Sequence, residues 1–366
     1  MGPVTSLPLG AEQRTGVPLS GYTTLRLGGP AARFVAAATA AEVVDALRAV
    51  DASDEPLLVL GGGSNLVVGD AGFDGVVVHL EHRGSKIDTA EPGTVRLTVE
   101  AGEDWDTVVA GTVEAGLGGL ECLSGIPGLV GATPVQNVGA YGVEVAQVLD
   151  SVDVYDRAAG EVRTLGVDQL GLGYRTSVLK GSDRAVVLRA RFVLTDDGLS
   201  APIRYTELAR ALGVRQDQRV PVAAAREAVL ALRRGKGMVL DPADHDTWSA
   251  GSFFTNPVVP AERVDATVAR IVERVGTDVT VPCYPAGPAA SKLSAAWLIE
   301  RAGFTRGYPG PGGRVALSGK HTLALTNRGG AATADLLALA AEVKAGVAEA
   351  FGVDLHPEPV LVNCSL

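Results

Sequence analysis

Over the first two hundred positions, apolar residues recur at period two more often than at the helical period. Residues 95–100 alternate Val95, Leu97 and Val99 with polar neighbours, the pattern of a half-buried strand. Residues 32–37, 57–60, 66–68, 76–80, 151–155 and 185–194 have the same β character. Two helices interrupt them. The first follows Thr39-Ala40-Ala41-Glu42, which has the T-x-x-E spacing of a capping box, and sets Val43, Leu47 and Val50 on one face. The second begins near Asp104, with Trp105, Val108, Val109 and Val113 on a stripe and Gly116 as terminator. Beyond residue 200 the helical period takes over. It predicts helices over 222–234, 260–275, 291–302 and 334–351, the last carrying Leu336, Ala340, Val343 and Val347 and stopping at Gly352. The change of period places the main domain boundary between Asp196 and Pro202 and predicts an α+β fold.

Composition narrows the classes of function. A chain of 366 residues with 46% hydrophobic content buries a sizeable core and is long enough for two or three domains. The net charge of -10 argues against a nucleic-acid partner, which needs a concentrated excess of Lys and Arg. Cys122, Cys283 and Cys364 are odd in number and far apart, giving neither a disulfide framework nor a metal-ligand spacing. A reducing compartment and no metal are the expectation. The first residues, MGPVTSLPLGAEQRTG, lack the basic end and apolar run of a secretory signal, and no apolar run is long enough to span a membrane. A cytoplasmic protein without a membrane partner is therefore expected.

Two glycine-rich segments carry candidate chemistry. Residues 119–142, GLECLSGIPGLVGATPVQNVGAYG, hold Ser124, Thr133, Gln136, Asn137 and Tyr141 among glycines dense enough for backbone amides to approach a ligand. Composition alone also allows a tight multi-turn connector. Residues 56–68, PLLVLGGGSNLVV, set three glycines and a Ser-Asn pair between two apolar runs. A Rossmann phosphate loop runs from a strand into a helix, and here a strand follows Asn65, so a nest of backbone amides or a plain hairpin is the alternative to that site.

The 119–142 string resembles the GIPGxxGxxPxQNxGAYGxE signature of the UDP-N-acetylenolpyruvoylglucosamine reductase family, flavoenzymes of bacterial cell-wall precursor synthesis. The resemblance runs from Thr24, in TTLRLGG, almost to the carboxyl end, with every motif in the family's order. It implies a two-lobed FAD-binding domain of the vanillyl-alcohol-oxidase (PCMH) type over residues 20–198, a C-terminal α/β substrate domain over 199–350, and a terminal segment, 351–366, returning toward the flavin domain. It also implies FAD and NADPH as cofactors and UDP-N-acetylglucosamine enolpyruvate as substrate. The product is UDP-N-acetylmuramate, for peptidoglycan synthesis and so for cell shape and division, and a monomer is expected. Gly61, Gly62, Gly63, Ser64 and Asn65 would hold the diphosphate of the flavin. Ser124, Gly125, Ile126, Thr133, Gln136, Asn137 and Gly139 would lie along the rest of it.

Three further strings match the family's catalytic positions. GSFFTNP, residues 251–257, resembles GSFFxNP and makes Ser252 the proton donor. In the implied reaction hydride reaches the terminal carbon of the enolpyruvyl ether, and the carbon next to the carboxylate must then be protonated; a weak acid such as a hydroxyl serves because that carbon is a stronger base. GYRTSVLK resembles GYRxSxFK and makes Arg175 the partner of the substrate carboxylate, with Tyr174 beside it. Glu358, in HPEP, matches a C-terminal glutamate expected to share a proton with that carboxylate. His356 stands where the family often has an acidic residue, which leaves Glu358 as the only candidate there. Tyr141 and Tyr205 resemble substrate contacts, Tyr205 that of the subgroup with an extra capping loop. Lys236, Asn256 and His321 match positions near the diphosphate, the nicotinamide or the nucleotide sugar. Each of these five has a packing or loop role as its alternative. Two rival functions remain: a flavin oxidase of the same cofactor fold, with Cys122 the one His or Cys in the glycine-rich segments that could attach flavin covalently, and a non-catalytic nucleotide-sugar or flavin sensor.

Overall fold

The computed structural model describes residues 10–287 and 289–366. The amino-terminal stretch read for a secretory signal lies, up to Leu9, outside them. The chain forms two compact units: one comprises the described residues up to Pro18 with Pro30–Gly63 and Phe73–Val239, and the other Leu19–Gly29, Ser64–Gly72 and Leu240–Leu366.

The first unit holds two sheets. In one, Glu12–Pro18 pairs antiparallel with Pro30–Ala37, which pairs parallel with Phe73–Leu80, which pairs parallel with Leu57–Leu60. Parallel neighbours need a crossover, and helix Ala40–Ser53 supplies it between Pro30–Ala37 and Leu57–Leu60. The expected capping box starts this helix: Glu42 N–H donates to Thr39 Oγ1 at 3.1 Å while the Glu42 carboxylate accepts from Thr39 N–H at 3.2 Å. The helix buries Val43, Val44, Ala46, Leu47 and Val50. The other sheet is antiparallel, in the order Glu161–Gly166, Leu149–Asp156, Ala185–Thr195, Thr94–Glu100, Ser85–Thr89. Leu97 and Val99 face inward as their alternation predicts, into one core with Val35, Leu47, Trp105 and Phe192.

The boundary expected after residue 198 is displaced to Val239. Residues 199–239 contribute Ile203, Leu208, Ala225 and Val229 to the same core, through helices Thr206–Leu212 and Val222–Gly235. A helical period thus marks a change of element here and not a change of hydrophobic core.

The second unit is built around helix Thr333–Phe351, which buries Leu336, Leu339, Ala340, Val343, Val347 and Phe351. Asp70 caps it across 263 residues of sequence: Thr333 N–H donates to Asp70 Oδ1 at 2.7 Å, and Ala334 N–H donates to Oδ2 at 3.0 Å. Leu66–Val68 pairs parallel with Val360–Val362, so the segment after GGGSN belongs to this unit and the terminal segment runs alongside it. A three-stranded sheet orders Val258–Pro260, Ala290–Leu293 and Cys283–Pro285, and Val315–Leu317 pairs with Leu325–Asn327. The helix expected from residue 291 begins at Ala295. Ser294 is its N-cap, its side chain accepting from Trp297 N–H, and residues 291–293 are extended because they pair on both sides.

Candidate active site

In the first unit the two glycine-rich segments touch. A Cβ on Gly62 would lie 2.7 Å from Gly128 Cα, so the backbones approach only because residue 62 has no side chain. The loop at residues 124–126 is held from its flanks. Gly125 N–H donates to Asp106 Oδ1 at 2.6 Å, and Arg226 grips that carboxylate with two bonds of 2.7 and 3.0 Å. Burial pushes the Asp106 carboxyl up, but Arg226 and the Gly125 N–H outweigh it and hold the group below its ordinary value. Ser124 donates to Glu121 O at 2.6 Å and Thr133 to Val130 O at 2.8 Å. Asn137 Oδ1 accepts from Ala146 N–H at 3.0 Å, and its Nδ2 donates to Glu144 Oε2 at 3.0 Å and Gly173 O at 3.1 Å. These three side chains shape the loop, whereas Ile126, Gln136 and Gly139 are partly exposed along it.

Arg233 was not anticipated. It extends the buried stripe of Val222, Ala225 and Val229 along helix Val222–Gly235, and its Nη2 donates to Gly125 O at 3.2 Å and Met238 O at 2.7 Å. Its Nε is buried with no hydrogen-bond partner among the described residues. Burial pulls this guanidinium below the ordinary arginine value, opposed by Tyr141 and Asp106. A buried cation with an unanswered N–H against a glycine-rich loop suits a ligand rich in acceptors, such as FAD. The signal in the sequence was an arginine at helical spacing on an otherwise apolar face.

Arg175 sits in the tight turn of residues 173–176, closed by Gly173 N–H to Thr176 O at 3.0 Å and Thr176 N–H to Gly173 O at 3.3 Å. Its φ is +56°, a strained conformation for a side-chain-bearing residue, costing on the order of 1–3 kcal/mol. Its Nη2 donates to Gly139 O at 2.7 Å, and the guanidinium carbon lies 5.3 Å from the centre of the Tyr174 ring. Tyr141, Tyr205 and Lys236 come together. The two rings meet edge-on at 5.5 Å, and Lys236 Nζ lies 5.9 Å from the Tyr141 ring centre and 2.5 Å from Glu207 Oε2. Burial pushes the Tyr141 hydroxyl up to about 12, against Arg233 and helped by Glu207 and Tyr205, so it remains a donor at neutral pH. Cys122 is fully buried, and burial followed by Glu121 pushes its thiol up. Such a thiol is a poor nucleophile, which weighs against covalent flavin attachment there.

In the second unit GSFFTNP and HPEP form an antiparallel ladder. Thr255 N–H donates to His356 O at 3.0 Å, Glu358 N–H donates to Phe253 O at 2.9 Å, and Phe254 stands opposite Pro357. Phe253 and Phe254 are buried edge-on at 5.1 Å and anchor the ladder. Glu358 is therefore opposite Phe253, the neighbour of Ser252. Phe253 N–H donates to Leu323 O at 2.7 Å, which brings in the turn that begins at His321. Asn65 O accepts from Val360 N–H at 2.9 Å and Asn65 Nδ2 donates to Glu358 O at 3.5 Å, so Ser64 and Asn65 join the same neighbourhood. Asn256 Oδ1 accepts from Ala295 N–H at 2.9 Å and ties the string to the next helix. The His356 side chain is 69% exposed and 3.5 Å from Asp354. Among the described residues there is no cluster of metal-binding side chains and no helix long and apolar enough to cross a membrane.

Residues 31–166 match the FAD binding domain family, and residues 241–362 match the family described as UDP-N-acetylenolpyruvoylglucosamine reductase, C-terminal domain. The UDP-N-acetylenolpyruvoylglucosamine reductase of Saccharopolyspora erythraea is 67% identical over 357 residues, covering 98% of each chain. That of Nocardia farcinica is 60% identical, covering 98% of this chain and 91% of its own. The crystal structure of the reductase from Thermus caldophilus superposes with a TM-score of 0.62 at 25% identity, covering 96% of this chain and 98% of that one. The glycine-rich loops, the GSFFTNP–HPEP ladder and these likenesses agree, and the chain belongs to the UDP-N-acetylenolpyruvoylglucosamine reductase family.

Proposed function

We propose that Arg175, Ser252 and Glu358 carry the reduction of UDP-N-acetylglucosamine enolpyruvate to UDP-N-acetylmuramate in peptidoglycan precursor synthesis. The chain is an FAD-dependent oxidoreductase that draws on NADPH. Bound FAD supplies the two-electron relay between nicotinamide and alkene. Residues 61–65 would hold its diphosphate, and residues 124–126, 133, 136, 137 and 139 would line the remainder, with Arg233 as a further donor.

Ser252 gives its hydroxyl proton to the carbon next to the substrate carboxylate. Arg175 pairs with that carboxylate through its planar fork and stabilises the charge that spreads into it. Glu358 hydrogen-bonds the same carboxylate through a shared proton. Tyr141, Tyr205 and Lys236 present two phenol hydroxyls and a cation, a set suited to a nucleotide diphosphate, and Asn256 and His321 belong to the sugar's surroundings. The observation that supports this reading is the backbone ladder between GSFFTNP and HPEP, which brings the string of Ser252 and the string of Glu358 together across more than a hundred residues of sequence.

The test is NADPH oxidation with and without the enolpyruvyl substrate, followed by stopped flow on Ser252→Ala. Substrate-dependent oxidation is expected. In the variant, reduction by NADPH persists while reoxidation by substrate slows by about 10²–10⁴-fold, the usual worth of a positioned acid. Unimpaired reoxidation removes Ser252 as the acid. Oxidation that needs only oxygen points to an oxidase, and none at all to a sensor.

A further inference from the structure

Two carbonyls of the turn that carries Arg175 are held by side chains. Lys180 Nζ donates to Arg175 O at 3.0 Å, and Asn137 Nδ2 donates to Gly173 O at 3.1 Å. Asn137 is in turn fixed by Glu144, whose Oε2 accepts from Nδ2 at 3.0 Å. The other oxygen of Glu144 lies 4.0 Å from Arg175 Nη1. Gly139 leaves the space for both groups, since a Cβ there would sit 2.8 Å from Glu144 Cγ and 3.0 Å from Arg175 Nη1. A left-handed arginine at φ +56° persists only where its surroundings over-determine it.

We infer that Lys180 and Glu144 are positioning residues of the reduction. Lys180 pins the left-handed turn by its carbonyl. Glu144 sets the guanidinium from the other side, through Asn137 and through its own charge. Neither touches the substrate; both act through Arg175, and the inference rests on Arg175 being the partner of the substrate carboxylate. An ammonium suits the first task because a charged donor makes a stronger bond to a carbonyl than a neutral one. A carboxylate suits the second because it answers an amide N–H and a guanidinium together.

The experiment uses the flavin-loaded full chain and follows both half-reactions by stopped flow in Lys180→Met, Lys180→Arg, Glu144→Gln and Arg175→Ala. Lys180→Met is expected to slow reoxidation by substrate about 10–100-fold, the cost of displacing a catalytic group by about an ångström, with flavin content and reduction by NADPH within about twofold of the parent. Lys180→Arg, which keeps a charged donor, recovers most of the loss, and Glu144→Gln slows the same half-reaction by about 3–10-fold. A merely structural role predicts instead that flavin content and both half-reactions fall together, and that result overturns the inference. Parental reoxidation in Lys180→Met beside a slow Arg175→Ala also overturns it while leaving Arg175 in place. Parental reoxidation in Arg175→Ala removes the reading on which it rests. Should Lys180→Met fail to fold, Glu144→Gln decides alone, and parental reoxidation there counts against the inference.

Discussion

Arg175 stands on a strained turn whose shape is kept by side chains, whereas Ser252 and Glu358 stand on a ladder whose shape is kept by backbone. The turn depends on Asn137, Lys180 and the space over Gly139. The ladder depends on main-chain bonds from Thr255 and Glu358 and on two buried phenylalanines. Backbone bonds survive most substitutions, because every residue but proline carries the same donor and acceptor. The two regions should therefore differ in how far a change beside the proposed catalytic residue reaches the chemistry.

Of the changes not yet considered, the one at Gly139 should have the largest effect. In Gly139→Ala the added carbon would lie 2.8 Å from Glu144 Cγ, closer than real side chains come, and 3.0 Å from Arg175 Nη1, so Glu144 must shift and the guanidinium must give by a few tenths of an ångström. Reoxidation by substrate is expected to fall by about 10-fold or more, with the flavin spectrum reporting whether cofactor was retained. A parental rate with full flavin would break the comparison, since Arg175 would then not depend on its packing.

The ladder's own unit has a charge-dependent anchor. Asp335, in the first turn of helix Thr333–Phe351, accepts from Arg314 at 2.5 and 2.9 Å and from Ala332 N–H at 2.9 Å. The Arg314 bonds, then the Ala332 N–H, hold its carboxyl at about 2, below the unfolded value of about 3.9. This stability is present in full above about pH 4 and is lost as pH falls toward 2. Asp335→Asn should lower the urea midpoint at pH 7, and the gap from the parent should be narrower at pH 3. A gap that stayed constant would detach the anchor from the carboxylate's charge.

The strings that carry Arg175, Ser252 and Glu358 were legible because each is a short contiguous motif, and the strands were legible wherever alternation followed one-sided burial. Arg233 has only its helical spacing on an apolar face to mark it, because its environment comes from tertiary packing on Gly125. Lys180 ends GYRTSVLK and Glu144 follows GAYG, but nothing in a sequence reveals that one side chain reaches the carbonyl of a residue in a left-handed turn. The domain boundary was misplaced because period reports local structure, while Ile203, Leu208 and Val229 join a core assembled from residues far away. Residues 291–293 were read as helix because their pairing partners, Val258–Pro260 and Cys283–Pro285, are too short to announce themselves as strands.

The smallest effects give the comparison its sharpest form, because they set two hydroxyls of similar size against each other. Ser177, two residues after Arg175, donates to Val135 O at 2.6 Å and accepts from Leu179 N–H at 3.1 Å. Ser177→Ala leaves both groups without that partner and should cost about 1–3 kcal/mol, with a measurable slowing of reoxidation because the strained turn loosens. Thr255, three residues after Ser252, has a hydroxyl 3.4 Å from His356 O, but the ladder bond from its N–H, at 3.0 Å, does the holding. Thr255→Val keeps that N–H and the shape of the side chain, so stability should change by less than about 0.5 kcal/mol and reoxidation by less than about twofold. Urea melts and stopped flow on the pair decide the matter. Equal losses would mean that both regions lean on their side chains alike, and a larger loss at Thr255 would invert the distinction between turn and ladder.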